Sequence, residues 1–329
     1  MPSIVLDILL LLVGVALLIT GGETLVRGAG ALARRLGVPL LIVGLTVVAF
    51  GTSAPELALN IVAAINDNTG LSFGNVIGSN IANVGLILGI AALVTPLAVH
   101  ASVVKREIPA MVLASIVAVG MGLFTLVEGV HQYSPYEGAV LLVGFVVFIL
   151  WTFIRARSSD DALEKTLAEV PEDPGRLSVM IAMIVIGLIG LAGGGNLAER
   201  GASGIAAALG MSDEMIGLTV VALATSLPEL VTSVIAVRKG QADIAVGNIV
   251  GSNIFNLLLV FGVTALIRPI PVPVRDGPVS LYVMLAFALI LVPMSRTDAM
   301  RLSRLEGGVL LGGYLAYMGY EVWGVINGG

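Results

Sequence analysis

The chain has 329 residues, of which 57% are hydrophobic and 12% are charged, and its formal net charge is −5. Soluble domains carry roughly 25% charged residues. This composition, with a mean hydropathy of +1.03, therefore excludes a soluble globular protein and predicts an integral membrane protein. The sequence contains no cysteine, which excludes disulfides and thiolate metal sites. We expect the protein to be embedded in a lipid bilayer, with no nucleic-acid partner and no protein partner.

The apolar residues fall into ten runs, each long enough for a helix of about 17 to 25 residues to cross a bilayer. In chain order the runs cover residues 4–26, 38–65, 72–94, 107–127, 136–154, 177–199, 214–237, 245–267, 278–294 and 305–325. No basic segment precedes the first run, so we interpret it as the first span rather than as a signal peptide. The runs predict an all-α membrane protein with ten transmembrane helices.

The positions of Lys and Arg predict the orientation, because these residues accumulate on the cytoplasmic side of a membrane protein. If ten spans alternate in direction, three of the 17 basic residues, Arg200, Arg268 and Arg275, fall on one side and all the others on the opposite side. This distribution predicts a multi-pass protein of the plasma or inner membrane with both termini outside.

Two sequence motifs each occur twice. The segment GLTVVAFGTSAPEL at 44–57 recurs as GLTVVALATSLPEL at 217–230, with 11 of 14 positions identical. The segment GNVIGSNIAN at 74–83 recurs as GNIVGSNIFN at 247–256, with 7 of 10 identical. Both pairs are 173 residues apart (217 − 44 and 247 − 74), so the two halves of the chain are copies of one unit.

Five predicted spans separate the two copies, and because five is odd, the second copy enters the membrane from the opposite side. Inverted repeats of this kind are typical of secondary transporters, whose ion sites lie near the bilayer midplane where the repeats meet. We therefore predict two inverted five-helix repeats, residues 1–154 and 177–329, joined by a cytoplasmic linker at 155–176. The repeated regions within them are 44–83 and 217–256.

Glu56 and Glu229 lie near the middle of predicted spans. A charged side chain at that depth costs at least roughly 2.5 to 3.5 kcal/mol, which packing alone does not explain. The sequence SAPE, starting at Ser53, has the pattern of a helix capping box. Pro55 and Pro228 lack an N–H, so each is expected to break its helix and to free backbone carbonyls that line a cavity. We predict that helices 2 and 7 are broken at the core of the protein.

Hydroxyl and amide side chains accompany both glutamates. Thr52 and Thr225 each precede a glutamate by four residues, and Ser79 shares a helix face with Asn83 at i and i+4. Ser252 and Asn256 repeat the latter pair in the second half. The remaining asparagines of the motifs are predicted to form hydrogen bonds between helices: Asn75, Asn80, Asn248 and Asn253.

Every candidate ligand atom is an oxygen, which favours hard cations such as Ca²⁺ and Na⁺ over softer metals. Two ionised glutamates carry a charge of −2, which one Ca²⁺ or two Na⁺ would neutralise. One site can therefore serve both ions in turn, with the ions as transported substrates and with no cofactor.

At these residues the sequence resembles the calcium/cation antiporter superfamily, and within it the prokaryotic sodium/calcium exchangers with their alpha-1 and alpha-2 repeats. The resemblance covers essentially the whole chain. It implies an antiporter that exchanges Na⁺ for Ca²⁺, usually three Na⁺ per Ca²⁺, with spans 1 and 6 sliding across the core as a gate. The ligands that it implies are Glu56 and Glu229 at the centre, Thr52, Thr225, Ser53, Ser226, Ser79 and Ser252 around it, the carbonyls of Ala49 and Ala222, and Asn83 and Asn256 flanking the middle site.

Two positions differ from the family pattern. Ala224 stands where the first copy has Gly51 and where the family often has glycine, which affects packing without removing a ligand. Asn256 stands where potassium-dependent members, and some microbial ones, carry aspartate, and a neutral amide there argues against K⁺ transport. A Ca²⁺/H⁺ or other cation/cation antiporter is the nearest alternative, because paired glutamates can also exchange protons. An intramembrane hydrolase and a passive channel fit less well, and we expect no enzymatic activity.

Overall fold

The computed structural model of the protein describes residues 4–99, 101, 103–127, 129–156, 175–211, 216, 220, 222–274, 276–296 and 300–328. Most of the predicted linker, residues 157–174, and residues 217–219 and 221 of the second motif lie outside the described residues. The described chain is almost entirely helical, which confirms the all-α fold class.

The first half consists of helices and short π-helical segments. They are α1 (Ile4–Leu36), α2 (Leu40–Val43), π1 (Gly44–Val48), α3 (Ala49–Thr52), α4 (Ala54–Ile65), α5 (Thr69–Ala82), π2 (Asn83–Leu88), α6 (Gly89–Val94), π3 (Val103–Glu107), α7 (Ile108–Phe124) and α8 (Pro135–Ala156).

The second half repeats much of this order. It contains α9 (Leu177–Ala208), α10 (Ala222–Ala224), α11 (Leu227–Arg238), α12 (Ala242–Ile254), π4 (Phe255–Val260), α13 (Phe261–Ile267), α14 (Gly277–Met294) and α15 (Arg304–Gly328).

Among the described residues, seven helices are long and apolar enough to cross a membrane, and the bent pair Leu40–Thr52 and Ala54–Ile65 makes an eighth if it is one span. The protein is thus a multi-span membrane protein. The predicted spans at 214–237 and 305–325 do not meet that criterion in the described part of the chain, so the number of ten remains a prediction.

The first helix is longer than predicted. Its apolar run ends at residue 26, but α1 continues to Leu36. Arginine is unfavourable in the hydrocarbon layer, but it is a good helix former, so the helix continues beyond the apolar run. The helix ends where Gly37 adopts a φ of +63° and the Val38 N–H bonds the Ala33 carbonyl at 3.0 Å. Glycine is the usual residue at such a left-handed helix end.

The two motif-bearing helical segments form the centre of the molecule. In Thr69–Val94 and Ala242–Ile267, 78% and 83% of the residues in the most apolar stretch are buried, against 17% in α1 and 28% in α9. The peripheral helices α1 and α9 run antiparallel and touch through glycine. A Cβ added at Gly14 would lie 2.7 Å from the Gly194 carbonyl oxygen, and one added at Gly21 would lie 2.9 Å from that of Gly187.

Two small antiparallel sheets tie the connecting loops together. Strand β1 (Leu97–Ala98) pairs with β5 (Arg301–Leu302). Strand β2 (Leu126–Val127) pairs with β3 (Val130–Tyr133), which pairs in turn with β4 (Ile270–Pro271). Each sheet therefore joins a loop of the first half to a loop of the second half.

Candidate cation-binding site

Both copies of the first motif, at 44–57 and 217–230, interrupt their helix at the predicted place. Helix α3 ends at Thr52 and α4 begins at Ala54, with Pro55 in its first turn, and the chain bends by 41° at this break. In the second half, α10 ends at Ala224 and α11 begins at Leu227, followed by Pro228. The missing proline N–H costs nothing in a first helical turn, where no intrahelical partner exists.

Glu56 and Glu229 each lie in the first turn of the helix that follows the break, where the helix dipole and free N–H groups favour a negative charge. Each residue is only 1% exposed, and the hydroxyl of Ser53, three residues before Glu56, lies 3.3 Å from the Glu229 carboxylate. The folding of the two halves thus buries two acidic groups at one place, which calls for a compensating positive charge.

Ser53 connects the halves directly. Its hydroxyl lies 3.3 Å from Oε1 of Glu229, to which it donates a hydrogen bond. Ser53 does occupy the N-cap position of α4, but its side chain makes no capping hydrogen bond, so the capping-box prediction is wrong for this serine. The physical reason is that a buried carboxylate of the opposite repeat lies within reach of the hydroxyl, and hydrogen bonds to charged acceptors are the stronger ones.

Asn248 of α12 holds the second break in place. Its Oδ1 accepts a hydrogen bond from the Thr52 hydroxyl at 3.0 Å, and its Nδ2 donates to Ser233 Oγ at 3.1 Å and to the Glu229 carbonyl at 3.5 Å. Asn248 is 0% exposed. One side chain therefore fixes a predicted ligand from each half of the chain.

Asn75 of α5 has the equivalent place in the first half. Its Oδ1 accepts from Asn60 Nδ2 at 2.7 Å, and its Nδ2 lies 3.5 Å from the Thr225 hydroxyl, to which it donates. Asn60 also donates to the Glu56 carbonyl at 2.7 Å. Asn60 and Ser233 lie outside the repeated motifs and were not predicted as part of the site. Their common position, four residues after each glutamate, is the signal that identifies them.

The other predicted interhelical asparagines also form such contacts. Asn83 Nδ2 donates to Asn253 Oδ1 at 2.9 Å. Asn80 Nδ2 lies 3.9 Å from the sulfur of Met284, and Asn253 Nδ2 lies 3.5 Å from that of Met111. The prediction of hydrogen bonds between helices is therefore confirmed for Asn75, Asn80, Asn248 and Asn253.

Asn83 and Asn256 occupy π-helical segments, as the first residue of π2 and the second of π4. Both are 1% exposed. Insertions of this kind are frequent at functional sites, since they shift the phase of the side chains. The sequence pattern of i and i+4 neighbours assumed a regular α-helix and did not reveal these segments.

Several buried oxygen atoms of the predicted ligands have no hydrogen-bond partner among the described residues. They are Oε2 of Glu56, Oε2 of Glu229, Oγ of Ser226, Oγ of Ser252, Oδ1 of Asn83 and Oδ1 of Asn256. A buried polar atom without a partner costs about 1 to 3 kcal/mol. Such a group of unsatisfied oxygens is suited to a hard cation, which needs several oxygen ligands and no hydrogen-bond donor.

The remaining predicted residues lie beside these groups along the chain. Ala49 is the first residue of α3, and its carbonyl accepts the Ser53 N–H at 3.0 Å. The Thr52 hydroxyl also lies 3.4 Å from this carbonyl oxygen, so a predicted hydroxyl ligand and a predicted carbonyl ligand are in contact. Ala222 is the first residue of α10. Ser79 is buried in α5, four residues before Asn83.

A multi-span helical protein with buried carboxylates, hydroxyls and amides at interrupted helices belongs to a recognisable class, the membrane transporters of hard cations. The family model described as sodium/calcium exchanger protein matches residues 6–154 and 179–323. The chain therefore belongs to the sodium/calcium exchanger protein family, within the calcium/cation antiporter superfamily, and this is a family of transporters.

Several known proteins are similar to almost the whole of this chain. It is 39% identical to the inner membrane protein YrbG of Escherichia coli K12 over 323 residues, which are 95% of this chain and 96% of that protein. It is 34% identical to the sodium/calcium exchanger MaX1 of Methanosarcina acetivorans over 348 aligned positions, which are 96% and 98% of the two chains. A solved structure of the sodium-calcium exchanger NCX_Mj, soaked with Na⁺ and Sr²⁺, matches with a TM-score of 0.83 at 30% identity and covers 96% of this chain and 99% of that one.

Proposed function

We propose that this protein exchanges Na⁺ for Ca²⁺ across a cell membrane by alternating access, with three Na⁺ per Ca²⁺ and without K⁺. The observation that carries the proposal is that Oε2 of Glu56 and Oε2 of Glu229 are buried without a hydrogen-bond partner among the described residues, at helix breaks whose hydroxyls bond across the two halves. The names of MaX1 and NCX_Mj as sodium/calcium exchangers support the choice of the two ions.

In this proposal Glu56 and Glu229 are the central ligands for either ion. Their combined charge of −2 balances one Ca²⁺ or two Na⁺, so occupation by one kind of ion excludes the other. The hydroxyls of Thr52, Thr225, Ser53, Ser226, Ser79 and Ser252, the carbonyls of Ala49 and Ala222, and the amides of Asn83 and Asn256 complete the coordination.

Alternating access requires two halves that exchange roles, and mirrored contacts support this arrangement. The contact between Asn80 and Met284 has its counterpart between Asn253 and Met111, each residue displaced by 173. We infer ten spans in two inverted repeats, 1–154 and 177–329, with the linker 155–176 in the cytoplasm and both termini outside.

The gate in this proposal consists of α1 and α9. Their glycine contacts bring the two backbones within van der Waals distance, without long side chains that would interlock and resist sliding. The two helices are also among the least buried of the protein, so their displacement disturbs little of the core.

Asn256 is the basis for proposing independence from K⁺. Its side chain is neutral and 1% exposed, so the site contains two carboxylates rather than three. A third negative charge would favour binding of an additional cation. With two carboxylates, the proposed exchange of three Na⁺ for one Ca²⁺ moves one net positive charge in each cycle.

Ca²⁺ uptake by proteoliposomes tests the proposal. Vesicles loaded with Na⁺ and diluted into Na⁺-free medium with ⁴⁵Ca²⁺ are expected to accumulate Ca²⁺, and vesicles loaded with K⁺ are not. External K⁺ is expected to have no effect, and a membrane voltage set with valinomycin is expected to change the rate. Equal uptake driven by a proton gradient alone would instead support the Ca²⁺/H⁺ alternative, and a rate indifferent to voltage would support two Na⁺ per Ca²⁺.

A further inference from the structure

A hydrogen-bonded chain of three side chains connects a methionine of α7 to a proposed ligand. The sulfur of Met111 lies 3.5 Å from Nδ2 of Asn253, which donates to it. Oδ1 of Asn253 accepts a hydrogen bond from Nδ2 of Asn83 at 2.9 Å. All three residues are buried. We call Met111, Asn253 and Asn83 the amide relay.

The amide relay has a fixed direction because its first member can only accept a hydrogen bond. A thioether sulfur has no hydrogen to donate, whereas an asparagine amide donates from Nδ2 and accepts at Oδ1. Asn253 therefore presents Nδ2 to Met111 and Oδ1 to Asn83. The backbone carbonyl of Asn80 lies 3.5 Å from the same Nδ2. It is also an acceptor only, so it favours the same orientation of Asn253.

The direction of the relay determines which atom of Asn83 remains free. Because Nδ2 of Asn83 donates to Asn253, its Oδ1 lies on the other side of the amide. This oxygen is buried and has no hydrogen-bond partner among the described residues. An amide rotated by 180° would present an N–H group in its place. Hard cations bind the carbonyl oxygen of asparagine, so only the observed orientation is suited to a cation.

We propose that Met111 is a positioning residue for cation binding, which acts through Asn253 to turn the oxygen of Asn83 towards the ion. This inference rests on the proposed function, because it takes Asn83 as a ligand. Met111 itself does not contact the ion. Its sulfur is the acceptor that fixes the end of the relay, and an aliphatic side chain of similar volume cannot replace it.

The equivalent chain of contacts in the other half is incomplete. Met284 follows Met111 by 173 residues, and its sulfur lies 3.9 Å from Nδ2 of Asn80. Oδ1 of Asn80 has no partner among the described residues, and neither Nδ2 nor Oδ1 of Asn256 has one. Met284 is buried as Met111 is, but no relay leads from it to a ligand. It therefore provides a matched control.

Calorimetric titration of the purified protein with Ca²⁺ tests the role of Met111. Met111→Leu removes the acceptor and nearly preserves the side-chain volume, an exchange that protein cores tolerate well. We expect Ca²⁺ binding to weaken about three- to tenfold, the equivalent of one hydrogen bond within a membrane protein. Met284→Leu is expected to change Ca²⁺ binding by less than about twofold.

A double-mutant cycle tests whether Met111 acts through Asn83. Asn83→Ala removes the proposed ligand and is expected to weaken Ca²⁺ binding. Residues that act through one hydrogen-bonded network have non-additive effects. Met111→Leu combined with Asn83→Ala is therefore expected to bind Ca²⁺ as tightly as Asn83→Ala alone.

Methyl NMR tests the relay in the ion-free protein. The chain has 11 methionines, whose methyl groups are labelled with ¹³C, and the signal that is lost in Met111→Leu belongs to Met111. Asn83→Ala removes the donor to Asn253 and leaves Met111 in place, so the Met111 signal is expected to shift. Ser72→Ala, which removes another buried hydrogen-bonding group of α5, is expected to leave it unchanged. The other methionine signals show whether each variant is folded.

Four results would overturn the inference. They are unchanged Ca²⁺ binding in Met111→Leu, an equal loss in Met284→Leu, a further loss in the double variant beyond that of Asn83→Ala, and an unshifted Met111 signal in Asn83→Ala. An equal loss in Met284→Leu would assign the effect to methionine packing rather than to the relay. Absence of Ca²⁺ binding in the unmodified protein would refute the proposed function itself. Normal binding that Met111→Leu does not alter would refute the relay alone.

Discussion

Replacing Asn248 by alanine is expected to weaken ion binding at the proposed site, because Asn248 holds two of the proposed ligands in position. Asn248 is fully buried and is not among the proposed ligands. It makes hydrogen bonds of 3.0 Å with the Thr52 hydroxyl and 3.1 Å with Ser233, and a longer one of 3.5 Å with the Glu229 carbonyl. The substitution removes all three and leaves Thr52 and Glu229 without their common support.

The expected loss follows from these contacts. Hydrogen bonds between side chains in membrane proteins contribute about 0.6 kcal/mol on average and up to about 1.7 kcal/mol. The two shorter bonds of Asn248 therefore predict a decrease of roughly 1 to 3 kcal/mol in the free energy of unfolding. If about 1.4 kcal/mol of this loss falls on the ion-bound state, the affinity for Ca²⁺ decreases about tenfold.

Ser233→Ala is the matched control, because it removes only the bond between Ser233 and Asn248 and leaves Asn248 in contact with Thr52 and Glu229. Calorimetric titration of the purified proteins with Ca²⁺ and unfolding in detergent measure both effects. We expect about tenfold weaker Ca²⁺ binding in Asn248→Ala and less than about threefold in Ser233→Ala. Equal affinity and stability of Asn248→Ala and the unmodified protein would refute a positioning role for this residue.

Three other tests, with five substitutions, address different parts of the structure. Ser53→Ala removes the hydrogen bond to Glu229 and should lower the stability of the ion-free protein, whereas Ser226→Ala removes a buried hydroxyl without a partner and should lower it less; the reverse order of melting temperatures would contradict the site geometry. Gly194→Ala would place a Cβ 2.7 Å from a backbone nitrogen of α1, whereas the Cβ of Gly193→Ala meets nothing within 4 Å. The first should impair exchange and the second should not, and equal rates would exclude a close glycine contact between these helices. Asn256→Asp should increase the response of Ca²⁺ transport to K⁺, and an unchanged response would remove the basis for K⁺ independence.

The sequence predicts much of the fold because the membrane restricts what a chain can do. Backbone polar groups must be satisfied within each span, so an apolar run in a membrane is a helix. The helix breaks before Glu56 and Glu229 were also predictable. Proline interrupts a helix, and a carboxylate in the middle of a membrane span is too costly to be explained by packing alone. The duplication of the motif pointed to residues of both halves at once.

The parts that the sequence does not predict depend on tertiary contacts. The π-helical segments at Gly44–Val48 and Asn83–Leu88 are not marked by any residue pattern that distinguishes them from α-helix. The continuation of α1 to Leu36 follows from local helix propensity and the turn at Gly37, whereas the prediction relied on where hydrophobicity ends.

Side-chain partners are the least predictable feature. Ser53 has the local pattern of a capping residue, yet its hydroxyl bonds Glu229, which is 176 residues away. Asn60 and Ser233 occupy equivalent positions and have different chemistry, so the repeat hides their shared role. The partner of Ser53 comes from the other half of the chain, and a local pattern carries no information about it. The asparagines that Asn60 and Ser233 contact lie 15 residues further along the same half, on the next helix.

The most direct test of the proposed site is the binding of Ca²⁺ to Glu56→Gln and Glu229→Gln in the presence and absence of Na⁺. Two unit charges about 4 Å apart interact by about 4 kcal/mol at an effective dielectric constant of 20. We therefore expect each substitution to weaken Ca²⁺ binding by at least about a hundredfold, and Na⁺ to displace Ca²⁺ competitively from the unmodified protein. Ca²⁺ binding within threefold of the unmodified protein in either variant would show that this carboxylate is not a ligand, and Ca²⁺ binding that is insensitive to Na⁺ would contradict a shared site.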